Sequence, residues 1–467
     1  MTSWFEKNRI LTLVIVNIAS ISILIFIVEL LLRSFYPAPI ATFGLPSTHN
    51  GSLYGWGFDP KQLIKISDPD SGAVYIDLTN SHGWRDLDRD YENKKGAYRI
   101  LVLGDSHTFG LIVPAEKIYT RLLEKKFRDS GYNVEIISLA LSSWGTDQEL
   151  EALVNEGLLY KPNLIILQFS TNDLGDNAYF YLSTRPGTKI PEQMKGYKPF
   201  YYEVTDSDEL VKRENPYFHR SWTWRFLMSS DFIKLCINNS EILKRLYQFS
   251  RHHSPSDTVY RVGKNQLDQL QFVLNLDESS HLYKCLHKRL GSEITPEDLN
   301  SCLNAADDQT KKIVFRVLED RLLHEYWSRE RYNPKRMDTN SYEWRLFSAL
   351  VKKIKFLADT IHADFVIFPA TDEIEFQWHV SWYRYPDTEE AKKDFLSPVN
   401  AIKEIMPGMG IKVVNNTLPY ERARNDPHVT VEGNEAMAED LFKFLMTRYE
   451  STFRNYRIAG TMPHPKN

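Results

Sequence analysis

The chain has 467 residues, with 57 basic and 61 acidic side chains and a formal charge of −4. That balance excludes a surface built to hold nucleic acid or to cling to an anionic membrane by charge alone. It leaves the chemistry of a small substrate open, and the length permits two domains or one domain with a large insertion.

Residues Ile10 to Leu32 are almost uninterrupted apolar residues, with Asn17 and Glu29 as the only strongly polar members. The run is long enough for a hydrocarbon core of roughly 30 Å. It ends in Glu-Leu-Leu-Leu-Arg without a small-x-small cleavage site, so residues 1–36 read as an uncleaved transmembrane anchor. Lys7 and Arg9 precede the run, and Arg33 is the sole basic residue after it before Lys61. The positive-inside rule therefore places the amino terminus in the cytoplasm and the body outside it, in a periplasm or at the cell surface.

Residues 37–73 read as a linker or an extended segment packed on the body, because Pro37 to Gly57 is rich in Pro, Gly, Ser and Thr. Val74 to Leu78 alternates as a strand. Arg99 to Gly110, RILVLGDSHTFG, then runs an apolar strand straight into a Gly-Asp-Ser turn. Such a turn holds a serine hydroxyl at the carboxyl edge of a parallel sheet, beside the free N–H groups of a new helix. Ser106 is the candidate nucleophile. Asp105 is expected to brace the turn, whereas His107, its immediate neighbour, should point away from the serine.

Val134 to Ser138 reads as a second strand, followed by LALSSWGTDQ at 139–148 and a helix carrying Leu150, Leu153, Val154 and Leu158. A third strand, Leu164 to Phe169, ends in Ser170-Thr171-Asn172-Asp173. Asp364 to Pro369 and Ile411 to Val414 are further short apolar runs of the kind buried in a parallel sheet. Asn425-Asp426-Pro427-His428 then precedes a helix with Met437, Leu441, Phe444 and Leu445.

Strands alternating with helices imply βαβ units with right-handed crossovers. The expected fold is α/β: a three-layer α/β/α sandwich of about five parallel strands, built from residues 74–176 and 340–467. Residues 177–339 read as a mainly helical insertion that would stand over the catalytic edge as a lid. Its aromatics, among them Tyr179, Phe180, Tyr181, Tyr197, Tyr201, Trp222, Trp224 and Phe226, either line a substrate pocket or form its own core. Thr295-Pro296-Glu297-Asp298 carries helix-start signals, and Ile313, Val314, Val317, Leu318 and Leu322 trace an apolar face. Cys285 and Cys302 either form a local disulfide or remain free thiols, and Cys236 is left over. His252-His253 and His379 show no ligand spacing, so neither a metal nor a cofactor is expected.

With Ser106, Gly145, Asn172 and His428 in this order, the chain resembles the SGNH hydrolase superfamily, the GDSL-type esterases, in a membrane-anchored bacterial form. The resemblance covers roughly Asn80 to Asp176 and Asp364 to Leu445. It implies a flavodoxin-like fold with Ser106 as nucleophile, the Gly145 N–H and Asn172 amide as oxyanion donors, and His428 as general base. Two positions depart from the family pattern. Ser170 takes the place of a glycine, and the acid usually found three residues before the histidine is Asn425. Asp426, two residues before, is the nearest carboxylate. The Asp-x-His spacing is also found in related polysaccharide O-acetyltransferases, so Asp426 is taken as the orienting acid, with a turn-capping role as the alternative.

The function implied is a serine esterase removing a short acyl group, most plausibly acetyl, from an envelope or exported carbohydrate through an acyl-serine intermediate. An O-acyltransferase acting on a polysaccharide, a lipid esterase and a catalytically silent envelope scaffold or carbohydrate-binding protein are the alternatives. The partners expected are an acylated carbohydrate or other small ester and the membrane, with no nucleic acid; the oligomeric state is left open.

Overall fold

The computed structural model describes residues 8–35, 40–41, 53–184, 198–218, 338–383 and 387–458, together with parts of the stretch between 260 and 318. In chain order the strands are β1 (Ile40–Ala41), β2 (Leu63–Ser67), β3 (Val74–Leu78), β4 (Tyr98–Gly104), β5 (Val134–Ala140), β6 (Leu164–Phe169), β7 (Phe200–Val204), β8 (Leu210–Glu214), β9 (Tyr260–Arg261), β10 (Glu293–Ile294), β11 (Asp364–Pro369) and β12 (Lys412–Val413).

Five of them form one parallel sheet in the order β12-β11-β6-β4-β5. Every residue of β4, β5 and β6 is buried, which is why these segments read as continuous apolar runs rather than as alternations. The Tyr119–Asp129 and Val431–Phe453 helices pack together on one face. The Thr146–Asn155 and Tyr342–Thr360 helices pack together on the other, which completes an α/β/α sandwich. Leu346, Phe347, Leu350, Val351 and Ile354 form the apolar face of the Tyr342–Thr360 helix, and Met437, Leu441 and Leu445 that of the last helix.

Ahead of the sandwich, β1, β2 and β3 form a small sheet, with β2 and β3 as an antiparallel hairpin. The described part of residues 37–73 thus supplies two of the three strands of this sheet. Tyr54, Trp56 and Phe58 are buried in the main core, where Tyr54 and Trp84 pack around Trp144. In residues 177–339, β7 and β8 pair as a hairpin whose Phe200, Tyr202 and Val204 face the main core. The His281–His287 and Pro296–Cys302 helices are joined by a Cys285–Cys302 disulfide, and Leu267, Leu286, Leu299, Val314 and Leu318 form a second, smaller core. Tyr197, Trp222, Trp224, Phe226, Cys236, Ile313, Val317 and Leu322 lie outside the described residues.

The N-terminal helix, Arg9–Phe35, contains an apolar span from Ile10 to Leu31 with mean hydropathy 2.8, none of it buried against the rest of the chain. Its composition suits a membrane anchor or a signal sequence.

Arg99 on β4 is 2 % exposed, pairs with Glu135 at 3.1 Å and donates to the carbonyls of Asp90, Tyr91, Glu92 and Tyr160. Removing a buried charge with its partners left in place costs about 3–5 kcal/mol. Arg99→Ala is expected to lower the free energy of unfolding, measured by urea titration, by an amount in that range, with the Asp90–Glu92 turn losing amide protection first.

Candidate functional site

The candidate residues all sit at the carboxyl edge of the large sheet. Beyond β4, Asp105 caps the short Ser106–Phe109 helix by accepting from the His107 N–H at 2.9 Å. This cap explains the Asp of Gly-Asp-Ser. The glycine has a steric reason: a Cβ at Gly104 would lie 2.2 Å from Thr108 Oγ1 and 2.7 Å from Gln168 Oε1. Gln168 on β6 fills that space. Its carbonyl oxygen accepts from Thr108 Oγ1 at 2.8 Å and from the Asp105 N–H at 3.3 Å, and its amide nitrogen donates to Ser170 Oγ at 2.7 Å. One buried amide thus ties the serine turn to the asparagine turn.

Gly145 begins the Thr146–Asn155 helix, and Asn172 begins the Asp173–Asn177 helix. A Cβ at Gly145 would meet Asn177 Oδ1 at 2.7 Å, so the start of the first helix touches the end of the second where a side chain would part them. The Gly145 N–H makes only a long contact, 3.4 Å, with Gln148 Oε1. The Asn172 amide donates to Asp176 at 2.8 Å. An amide carries two N–H donors, so this bond orients the group while a second donor remains for an incoming oxygen.

His428 lies in the loop between β12 and the last helix. Its Nδ1 is hydrogen-bonded to Asp426, whose same oxygen accepts from the His428 backbone N–H at 3.1 Å. Asn425 takes a different partner: its N–H and that of Arg424 donate to the Asp70 carboxylate at 2.9 and 2.6 Å. The two residues before the proline are thereby divided, one to the histidine and one to the β2–β3 turn. The ring of His428 lies 5.5 Å from that of His107, which brings the histidine loop beside the serine turn.

His107 therefore belongs to the site's wall. It is fully buried, and burial, then the neighbouring Arg422 and His428, hold its pKa well below the ordinary value, so the ring is neutral. Arg422 Nη1 faces His107 Nε2 at 3.4 Å and donates to the Pro427 carbonyl at 2.7 Å. Its Nη2 donates to the Ala370 carbonyl at 2.9 Å and to Glu375 at 3.0 Å. Burial pushes the Glu375 carboxyl up, but the Arg422 charge, with His379 and His107, outweighs it and brings the pKa down to about 2. Arg422, like Gln168, Asp70 and Lys198, is a residue that sequence reasoning missed. Its position six before His428 carries no periodic or motif signal, and its partners lie up to 315 residues away.

Behind the serine turn, Glu149 and Asp173 are fully buried, with Asp105, Asp147 and Asp176 around them. Lys198, itself buried, donates to both oxygens of Asp147 at 2.7 Å and to the Asp176 carbonyl. Burial, reinforced by Asp105 and Asp147, raises the Glu149 carboxyl well above the usual carboxylate range. Among the aromatics at the start of the insertion, Phe180 stacks on Tyr201 at 3.8 Å and Tyr181 on Tyr342 at 3.6 Å.

No family model and no curated protein matches the chain. Among solved structures it is similar to that of TesA, with 9 % identity over 75 % of this chain and 98 % of that one, at a TM-score of 0.29. A likeness of that size adds nothing to the sheet and turns described above.

A carboxyl whose pKa is raised on folding adds stability below its unfolded pKa and loses that contribution as pH rises through the folded value. Glu149→Gln should therefore unfold at a higher temperature than the parent at about pH 8, with the difference closing toward about pH 4. Thermal unfolding of both proteins across that range checks it.

Proposed function

We propose that the chain is a serine esterase of the kind the SGNH resemblance implies, acting on short acyl esters through an acyl-Ser106 intermediate. The observation that carries this reading is the hydrogen bond from His428 Nδ1 to Asp426 in a loop whose histidine ring abuts the serine turn. With Nδ1 engaged by Asp426, Nε2 is the ring nitrogen left to accept the proton that a serine hydroxyl must lose to become a nucleophile.

Ser106 Oγ attacks the ester carbonyl as His428 takes its proton. The carbonyl oxygen gains negative charge, and the N–H groups of Ser106 and Gly145 with the Asn172 amide receive it, each donor being worth roughly 3–4 kcal/mol of barrier. Collapse breaks the carbonyl carbon to alkoxy oxygen bond, and His428 returns its proton to the leaving alcohol. Water then attacks the acyl-serine by the same route in reverse and releases the acid.

The acyl acceptor distinguishes a hydrolase from a transferase, since a carbohydrate hydroxyl can replace water in the second half. The Asp426-Pro427-His428 spacing, shared with polysaccharide O-acetyltransferases, favours carrying that second reading. An acylated envelope or exported carbohydrate is the substrate class proposed, with the body outside the cytoplasm. The Cys285–Cys302 disulfide supports that side of the membrane, because such bonds persist in oxidising compartments.

The detergent-solubilised full chain is expected to cleave a small aryl acetate and to be labelled at Ser106 by a serine-directed phosphonate. Ser106→Ala should lose labelling and on the order of 10⁴-fold or more in turnover. Labelling with negligible hydrolysis, rescued by oligosaccharide acceptors, marks the transferase; no labelling of folded protein overturns both.

Asp426→Asn should lower turnover by up to about 10⁴-fold, the loss seen when a triad acid is neutralised, whereas Asn425→Ala should cost far less. A larger loss from the Asn425 change would assign the histidine's orientation to a backbone carbonyl. Single-turnover acylation rates of the two variants separate these outcomes.

A further inference from the structure

The β1–β2–β3 sheet has two unlike faces. Toward the body, Ile64 and Ile66 are fully buried, and Asp77 pairs with Arg85. Away from it, Val74, Ile76 and Leu78 of β3 are 50, 51 and 52 % exposed in one row, opposite Ser67, Lys65 and Leu63 of β2. β3 is also the sheet's edge. An edge strand in water is normally blunted by charge or proline, and three large aliphatic side chains at successive outward positions do the opposite.

The chain itself restricts what can cover this row. Only residues 36–39 lie between the end of the apolar helix at Phe35 and β1 at Ile40, which pairs with Ile64 of β2. The five Cα steps from Phe35 to Ile40 reach at most roughly 18 Å even when fully extended. β3 stands two strands further on, about 10 Å. If Ile10–Leu31 crosses a bilayer, the sheet is held against that bilayer's surface.

We propose that the β1–β2–β3 sheet is a membrane-docking surface, with the row Val74, Ile76 and Leu78 seated in the interfacial layer of the bilayer that the Ile10–Leu31 helix spans. The proposal rests on the anchor reading and is independent of the chemistry at Ser106. Its consequence for the site is mechanical. Asp77, on the inner face of the same strand, holds Arg85, whose guanidinium donates to the carbonyls of Phe109 and Val113 at 2.8 and 2.6 Å. Asp70, in the β2–β3 turn, holds the backbone of Arg424 and Asn425. One hairpin thus grips both the end of the Ser106 helix and the loop of His428, so seating its outer row fixes the height and tilt of the site above the lipid.

The test uses the full chain in phosphatidylcholine/phosphatidylglycerol nanodiscs, with Ile76→Cys carrying a nitrobenzoxadiazole dye in a Cys236→Ser background. Leu159→Cys, half-exposed in the segment ahead of β6, serves as the water-facing control. The dye at position 76 is expected to be quenched several-fold more by doxyl-labelled lipid than the dye at 159, and to be shielded from iodide. Adding Val74→Ser and Leu78→Ser should reverse both. Full access to iodide without quenching by lipid overturns the proposal. Shielding from iodide without quenching by lipid also overturns it, since another protein surface then covers the row. A chain that fails to co-purify with the discs removes the anchor reading and the docking together, while leaving phosphonate labelling of Ser106 unaffected.

Discussion

The buried amide of Gln168 is the interaction on which the geometry of this site depends. A parallel sheet delivers its turns to one edge, but it does not fix their mutual distances, because each turn follows a separate strand. Gln168 accepts from the serine turn and donates to the asparagine turn, and it occupies the space that a side chain at Gly104 would need. A glutamine sealed in a sheet is unfavourable unless every polar atom is satisfied. Here the bonds that satisfy it are the ones that align the site.

Arg422 plays the corresponding part on the other side. Its guanidinium joins the end of β11, the Glu375 helix and the carbonyl just before His428, and it faces the neutral ring of His107. A planar fork with five donors on three separate nitrogens suits such a junction, whereas a lysine's donors all leave from one nitrogen. The histidine loop is therefore anchored independently of the short Asp426–His428 contact. That division lets the carboxylate orient the imidazole while other groups bear the packing.

Charge is distributed unequally about the edge. Glu149, Asp173 and their acidic neighbours lie behind the serine turn with Lys198 as a buried counter-charge, and Arg422 lies beyond the histidines. Groups buried at the expense of their ionised forms reduce stability and recur where a site must be preorganised. The small N-terminal sheet adds a third support, since Asp70 and Asp77 of one hairpin reach the histidine loop and, through Arg85, the serine helix.

The parallel sheet was legible before folding, because strands buried on both faces must be continuously apolar, and β6 and β11 run over the very residues that the pattern marks. The polar turns at the strand ends were legible as well, since turn chemistry is written in adjacent residues, and the SGNH resemblance is what picked out Ser106, Gly145, Asn172, Asp426 and His428 within them. The β7–β8 hairpin lies inside the stretch 177–339 that reads as mainly helical, because the crowded aromatics around Phe200, Tyr202 and Val204 hide the alternation of a strand. That Gln168, Arg422, Asp70 and Lys198 brace the site, and that Cys285 pairs with Cys302, is visible only in the folded chain. These are meetings of residues far apart in the chain or on separate elements. A polar side chain whose partner is supplied by another strand or loop leaves no local periodicity, so its role exists only once the fold has closed.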